Sequence, residues 1–389
     1  MERQAPAAAH GRFMLRLLRK CVDSVTGLCR LGRRLESLLG RIIELAHEER
    51  GAPSGLPWSK RLWALRNGFY SSRLVHYRLT RENLTEYLPD RQYRALHPIN
   101  GDFSRLIDDK LQLPFTLKDF PDFVPKAYYL AHDGLLFGLA EGLPNCQRCQ
   151  PGPLLDLLRQ NRQFVVKPLY GSRGKGVRVL EHAGGTWRLD GRPCQEPDVV
   201  EALRDLRTHL IGEYVEQHAY AKHLFRHATN TMRLVTLRDD DTLQPLLVTA
   251  FHRVGTSRSQ PVDNVGAGGL FGPISVTTGE LGRFTGYPRG RSLEWFTHHP
   301  ETGEPLAGVV IPRWHDLKDR ILGVSRKLSF LSWMGYDVVA TENGLKILEI
   351  NSLPALSCQL FRPYLLQPEV AKFFQRRIRN LRRPSRQFA

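Results

Sequence analysis

The sequence predicts an α+β protein, and three stretches carry the prediction. Apolar residues recur at helical spacing across 13–49, a glycine-rich loop sits between two β-rich runs at 164–181, and two apolar strands flank a turn at 336–356. Runs of helical pattern early in the chain followed by runs of strand pattern later are the mark of that class.

Residues 1–11 are Ala-rich and polar. From 13 to 49, Leu15, Leu18, Val22, Val25, Leu28, Leu35, Leu38, Leu39 and Ile42 repeat at helical spacing with Arg and Lys between them, while Gly27, Gly32 and Gly40 divide the stretch into two helices. A basic amphipathic helix either packs on its own domain or lies on an anionic membrane. The breaker GAPSGLP at 51–57 marks a boundary. Residues 58–100 are helical and rich in aromatics, among them Trp58, Trp63, Tyr77, Tyr87 and Tyr93, which are read as packing residues. A short helix and a Pro-flanked strand follow over 101–130, then a helix at 153–162.

The run from Phe164 to Pro168 leads into the loop 170–176, YGSRGKG, and a second β-rich run begins at Val177. Neither Lys-Ser nor Lys-Thr follows the glycines, no helix comes after them, and the GxGxxG spacing is missing, so the loop is neither a Walker loop nor a dinucleotide fingerprint. Strand, loop and strand make a flap whose glycines let backbone N–H groups approach phosphate. A hairpin tip with basic decoration has the same pattern. Further strands are expected at 210–218, 227–239 and 243–255, the last two joined by a turn at 239–241, and a glycine-rich loop closes 250–274. A helix at 316–335 leads into the final hairpin, and 372–386 is a basic helix end.

That hairpin, YDVVATENGLKILEINSLPAL, is interrupted by three metal-competent side chains, Asp337, Glu349 and Asn351. A three-residue loop at 342–344 pairs Thr341 with Leu345 and sets Asp337 directly across from Glu349, whereas a two-residue loop pairing Glu342 with Leu345 sends the two acids to opposite faces. In the first register Asn351 shares their face. Two carboxylates and an amide oxygen form a hard, oxygen-only set suited to Mg²⁺ held between protein and phosphates. A solvated hairpin edge bearing ordinary acids is the bland alternative.

The 389 residues carry a net charge of +17 and a pI near 9.9, which calls for an anionic partner. Nucleotide, phosphorylated substrate, nucleic acid and acidic membrane all satisfy that number. Six cysteines are thinly spread, and only Cys146-Gln-Arg-Cys149 has metal or redox spacing, so unpaired thiols in a reducing cytoplasm are expected. The run 13–25 is broken by charge before a signal peptide can form, and no stretch reaches the roughly 18 uninterrupted apolar residues of a membrane span.

Taken in order, Asp108-Asp109-Lys110, the Lys167 strand with its flap, GEYVEQ at 212–217, NTMRLVT at 230–236, DNVGAGGLFGPI at 263–274 and ENGLKILEINSLPALS at 342–357 resemble the ATP-grasp ligase superfamily. They are most similar to its sugar-transfer associated branch, related to α-L-glutamate ligases, over roughly residues 95–370. The resemblance implies an ATP-grasp fold, two α+β lobes clasping the nucleotide, with a helical N-terminal extension. It divides the chain into an extension at 1–57, a helical pre-ATP-grasp region at 58–155, an ATP-grasp domain at 156–371 and a basic tail at 372–389. Within the domain the nucleotide lobe spans about 160–215 and the metal and substrate lobe about 216–360.

The same resemblance implies site roles. Lys110 and Lys167 would bind phosphate, with Ser172, Arg173 and Gly174 of the flap above them. Glu213, with the backbone of Tyr214 and Val215, would read the adenine edge, and Glu216 the ribose. Asp337, Glu349 and Asn351 would hold two Mg²⁺ ions. Arg233 would contact the γ-phosphate or an acyl phosphate, and Arg253, Asn230, Asn264, Gly268 and Gly269 would line the second-substrate side.

The implied chemistry is ATP- and Mg²⁺-dependent joining of a carboxylate to an amine on an amino acid, peptide or sugar-linked substrate. No nucleophile elbow, zinc-protease motif or Cys–His pairing stands against it. A phosphotransferase acting on a hydroxyl would use the same fold, and a non-catalytic anion-binding protein would use only the charge. Small-molecule or peptide substrates are therefore the expected partners, with contact between the N-terminal helix and an anionic membrane secondary and nucleic acid disfavoured.

Overall fold

The computed structural model describes residues 40, 43, 45, 46, 48–50, 55–160, 162–171, 174–287 and 292–381. The extension before residue 40, flap residues Ser172 and Arg173, and the tail from 382 lie outside the described residues.

Two sheets form the framework. The first has eight strands: β1 (Ala127–His132), β2 (Leu135–Gly138), β3 (Cys146–Gln147), β4 (Gln163–Pro168), β5 (Arg178–Ala183), β6 (Thr186–Leu189), β7 (Arg192–Cys194) and β8 (His209–Glu213), in the order β3-β2-β1-β8-β4-β5-β6-β7. Its alternating residues Tyr129 and Ala131, Phe164 and Val166, with Ile211, pack on Leu154 and Leu158 of the helix Gly152–Arg159 and on Val199 and Leu203 of the helix Glu196–Arg204. The latter starts on a reciprocal capping box between Gln195 and Asp198. Here the structure departs from the expected boundaries. Strands β1 to β3 belong to this sheet through the antiparallel pairing of β1 with β8, so the lobe reaches back to 127 rather than opening near 160.

The second sheet contains β9 (Met232–Arg238), β10 (Pro245–Val254), β11 (Leu270–Pro273), β12 (Phe284–Thr285), β13 (Trp295–Phe296), β14 (Trp333–Thr341) and β15 (Gly344–Asn351), in the order β13-β12-β11-β10-β9-β14-β15. Both faces are covered, which is why β9 and β14 are buried along nearly their whole length. One face packs Met232, Leu234, Tyr336 and Val338 against the helix Trp314–Lys327, whose Trp314, Leu317, Ile321 and Val324 recur on one stripe. The other face packs Val235, Leu237 and Trp333 against Phe373 and Phe374 of the helix Pro368–Leu381. That final helix is not simply solvated: Lys372 and Arg376 pair with Asp241, and Arg377 with Asp240 at 2.7 Å, so the turn between β9 and β10 neutralises its charges.

The final hairpin differs from expectation in its cause and agrees in its consequence. Thr341 pairs with Gly344 around a two-residue turn, Glu342-Asn343, and not with Leu345. A register shift between Asp337 and Val338 then brings Asp337 opposite Glu349. The extra residue is Leu348, a bulge that reverses which side chains face the core. Leu345 and Ile347 point into the core before it, and Ile350 does so after it. Without the bulge, strict alternation would bury Glu349 in that core and turn Ile350 outward.

Residues 58–96 make a cap with its own small core of Ala64, Phe69, Tyr77, Leu79 and Tyr87. It is fastened to the segment after β15. The Tyr77 hydroxyl donates to the Leu356 carbonyl at 2.8 Å, Tyr93 to the Pro354 carbonyl at 2.7 Å, and Leu88 exchanges hydrogen bonds with the Gln359 side chain.

Candidate functional site

The two sheets face a common cleft of about 930 Å³. On the second-sheet side, β9 and β14 set Arg233 across from Asp337. Arg233 Nη2 donates to Asp337 Oδ2 at 2.8 Å while its Nε bonds Oδ1, a bidentate pair, and Arg253 Nη2 reaches the same Oδ2 at 2.9 Å. Arg253 also lies 3.6 Å from Asp263, which accepts from the Thr231 amide at 2.7 Å and hydroxyl at 2.6 Å. Glu349 stands 3.9 Å from Arg233. Glu349, Arg233, Asp337, Arg253 and Asp263 thus make a row of alternating charge.

Their titration follows from that row. Burial alone would raise the Asp337 carboxyl, but Arg233 and Arg253 outweigh it and hold it well below the ordinary range. Glu349 goes the other way: burial raises it, and Asp337 beside it raises it further. Burial also raises Asp263, against the pull of Arg253 and Thr231. Gly335 admits the close approach of Pro354 beside Arg233: an added Cβ there would lie 2.7 Å from the Pro354 ring.

On the first-sheet side, Lys167 of β4 reaches across the cleft, its Nζ 3.4 Å from the carbonyl of Leu348, the bulge residue. Burial pushes this amine down to about 8, with Glu349 opposing the shift and Lys110 adding to it. Lys110 Nζ donates to the carbonyls of Leu169 and Gly171 at 3.3 and 3.1 Å, tying down the base of the flap. Gly174 in the flap has φ +68°, and a Cβ there would meet the Val262 side chain at 2.8 Å, so the flap touches the loop after β10.

The sequence-derived residues are distributed unevenly. Lys110, Lys167, Gly174, Glu213, Val215, Arg233, Arg253, Asn264, Asp337, Glu349 and Asn351 all line the one cleft. Glu213 accepts from the Lys126 amide at 2.9 Å with Lys346 3.8 Å away. Tyr214 and Glu216 are not brought into the lining, and Glu216 is exposed and paired with Lys222.

Asn230 is turned inward instead. Its amide donates to the carbonyls of Ala221 and Phe225 at 2.8 and 2.7 Å and its oxygen accepts from the Gly255 amide at 2.9 Å, leaving no donor for a ligand on a residue that is 1% exposed. Asn230→Ala is therefore expected to cost about 3–5 kcal/mol of stability by stranding buried backbone groups, read as a lower midpoint in urea unfolding. Gly268 and Gly269 also serve the loop: their amides bond back to the carbonyls of Val265 and Asn264 at 3.1 and 3.0 Å. Asp263 and Thr231 carry no mark of their own in the sequence: they lie inside the motifs DNVGAGGLFGPI and NTMRLVT, and one-dimensional spacing does not show that they meet.

The donor set fits a hard divalent cation. Asp337, Glu349 and Asn351 offer only oxygen atoms, and Asn351 is turned toward Glu349, its Nδ2 3.2 Å from Oε1. Glu349 is an incompletely neutralised acid beside a second one, the situation a cation offsets. Among the described residues no group of three or more His, Cys, Asp or Glu gathers, so an ion here would rest on two carboxylates, one amide and phosphate oxygens.

Two sheets clasping a cleft, with a lysine under a glycine flap facing acids on the last hairpin, define an ATP-grasp protein. The chain belongs to the sugar-transfer associated ATP-grasp family, whose model matches residues 100–373. No curated protein matches it. Solved structures similar to it include D-alanine–D-alanine ligase from Bacillus anthracis complexed with ATP, at 10% identity over 71% of this chain and 67% of that one with a TM-score of 0.36. D-cycloserine synthetase DcsG is 15% identical over 72% and 71% with a TM-score of 0.37. N5-carboxyaminoimidazole ribonucleotide synthetase from Thermotoga maritima is 13% identical over 73% of this chain and 52% of that one, with a TM-score of 0.37. Among the described residues, no helix is long and apolar enough to cross a membrane.

Proposed function

We propose that the protein is an ATP- and Mg²⁺-dependent ligase that joins a carboxylate to an amine. The observation that carries this is the convergence of Lys167 from one sheet and Asp337 and Glu349 from the other on a single cleft beneath the flap. A substrate carboxylate oxygen would attack the γ-phosphorus of ATP, the bond to the β–γ bridging oxygen would break, and ADP would leave. An amine would then attack the acyl carbon, expelling phosphate and releasing a proton.

Protein nucleophiles play no part in this. The work is alignment and charge neutralisation. Lys167 holds phosphate as a point charge, with Lys110 fixing the flap base behind it. Arg233 and Arg253 face the centre where negative charge accumulates, and Asp263 with Thr231 orients Arg253. Glu213 and the backbone beside Val215 serve the adenine end, and Asn264 the second-substrate side. Mg²⁺, held by Asp337, Glu349 and Asn351, would supply neutralisation of the phosphate oxygens.

A screen of acid and amine mixtures for ADP release, with products weighed by mass spectrometry, tests the proposal. ADP, free phosphate and a condensed product are expected. A phosphorylated acceptor without free phosphate would make the protein a kinase instead.

A pH dependence follows from Lys167. With its ammonium titrating near 8 in the free protein, affinity for an ATP analogue should be level from neutral pH to just below that point. It should then weaken roughly tenfold per unit above it. Lys167→Arg should flatten the profile, since guanidinium stays charged. A fluorescence titration across pH 6.5 to about 9.5 reads both.

A further inference from the structure

The cleft has a second end with different chemistry. Tyr93, Phe251, Phe271, Tyr287, Leu353 and Leu356 line it together with the polar residues Arg73, His76 and Asp90 of the cap. Cap residues 70–94 precede the matched span 100–373, so the cap side of this wall lies outside the family match, while Phe251, Phe271, Tyr287, Leu353 and Leu356 lie inside it. It is held in register with the reactive row. Tyr93 holds the Pro354 carbonyl, and Pro354 packs on Gly335 beside Arg233.

His76 stands out in the wall. It is 5% exposed, and its Nε2 has no hydrogen-bond partner among the described residues. Its Nδ1 lies 3.5 Å from Arg73 Nη1. A guanidinium can only donate, so Nδ1 accepts and Nε2 carries the hydrogen. Burial, then Arg73, push the imidazole down to about 3, which keeps it neutral. Arg73 itself is committed to Asp90 through bonds of 2.8 and 3.1 Å, so no unpaired charge from this pair waits beside the ring. The Tyr287 ring lies 5.5 Å from the His76 ring at 55°. A buried N–H without a partner costs about 1–3 kcal/mol. This one is closed to solvent as the surrounding side chains stand, and a ligand oxygen that parts them from the cleft side would complete it.

We propose that this end of the cleft is the second-substrate pocket and takes a flat apolar group bearing an uncharged oxygen. The His76 Nε2–H donates to that oxygen, and Tyr287 covers the apolar face. A carboxylate would find a neutral donor and no free cation in this pair, and an ammonium would find no acceptor on the imidazole. Assignment of the pocket to the second substrate rests on the ligase proposal; the ligand preference rests on the wall alone.

The test is ligand-observed NMR titration of the full chain with benzamide, benzoate and benzylamine, with the non-hydrolysable ATP analogue AMPPNP and Mg²⁺ present. Benzamide should bind most tightly. His76→Phe, which keeps a ring and loses the donor, should weaken it at least about tenfold, while His76→Gln, which keeps an N–H, should retain most of the affinity. Tyr287→Ala should also weaken benzamide. Tyr287 is 47% exposed, so this variant keeps the test intact should His76→Phe misfold. Equal benzamide affinity in the wild type and the variants, equal affinity for benzamide and benzylamine, or no benzamide binding would overturn the proposal. The affinity for AMPPNP, measured alongside, should be the same in every variant. Its absence in the wild type would count against the nucleotide site and leave a benzamide result standing.

Discussion

Replacing Glu349 with glutamine is expected to abolish nearly all Mg²⁺-dependent ATP turnover, a fall in kcat on the order of 10²–10³-fold, while the melting temperature holds or rises. The two halves of this expectation have one cause. Glu349 is an acid raised by burial and by its neighbour Asp337. A carboxyl raised on folding binds its proton more tightly in the folded chain, so its contribution to stability falls as pH climbs from the unfolded carboxylate range through the folded value. Wherever it is ionised, the side chain is a cost to the fold and an asset to cation binding. Glutamine keeps the size and the oxygen that accepts from Asn351, and removes the charge.

Asp337→Asn would lose activity for a different mixture of reasons. It strands Arg233 and Arg253, both largely buried, without their shared carboxylate, at a cost of about 3–5 kcal/mol. Glu349 is therefore the cleaner probe, and differential scanning calorimetry beside a coupled ADP assay separates the two variants.

Lys167→Met is expected to weaken ATP binding by roughly 10- to 100-fold, the equivalent of losing one charge-assisted hydrogen bond of about 1.5–3 kcal/mol. Methionine replaces the aliphatic stem, so packing on β4 survives. Stability at neutral pH should not fall. The folded amine is pushed below the ordinary lysine value, so keeping it charged opposes folding below about pH 8, and the opposition fades as pH rises from there toward the unfolded value. Titration with AMPPNP gives the affinity, and a urea melt gives the stability. A variant with unchanged affinity would remove Lys167 from the phosphate site.

Much of this was legible in the order of the chain, and the exceptions have physical reasons. The helix Trp314–Lys327, the β9–β10 pair and the β4–β5 flap follow local period and turn chemistry, which sequence carries directly, although the helix stops short of the expected 335 because β14 begins at Trp333. The facing of Asp337 and Glu349 was also readable, but through the wrong device. A three-residue loop at 342–344 is the device the sequence suggests, whereas a tighter turn and the Leu348 bulge produce the same facing. The break in alternation from Leu345 and Ile347 to Ile350 held that information, because all three point into one core.

Long-range pairing was harder. Nothing local shows that β1 joins β8, about 80 residues later, so the first lobe was begun too late. Residue type also fails to give direction. Asn230 and Glu216 belong to polar motifs, yet one is spent inside the fold and the other faces Lys222. His76 carries no mark in the sequence, since an aromatic-rich helical stretch reads as packing, and only its unpartnered nitrogen in three dimensions distinguishes it.

The central claim is that the cleft binds a nucleoside triphosphate through Lys167 on one side and a cation held by Glu349 on the other. Isothermal titration of the full chain with AMPPNP, with and without Mg²⁺, addresses it most directly. Binding should weaken at least about tenfold when Mg²⁺ is withheld from the wild type, and Glu349→Gln should show no such difference. Wild-type protein that binds the analogue equally well in both conditions, or does not bind it at all, would contradict the account.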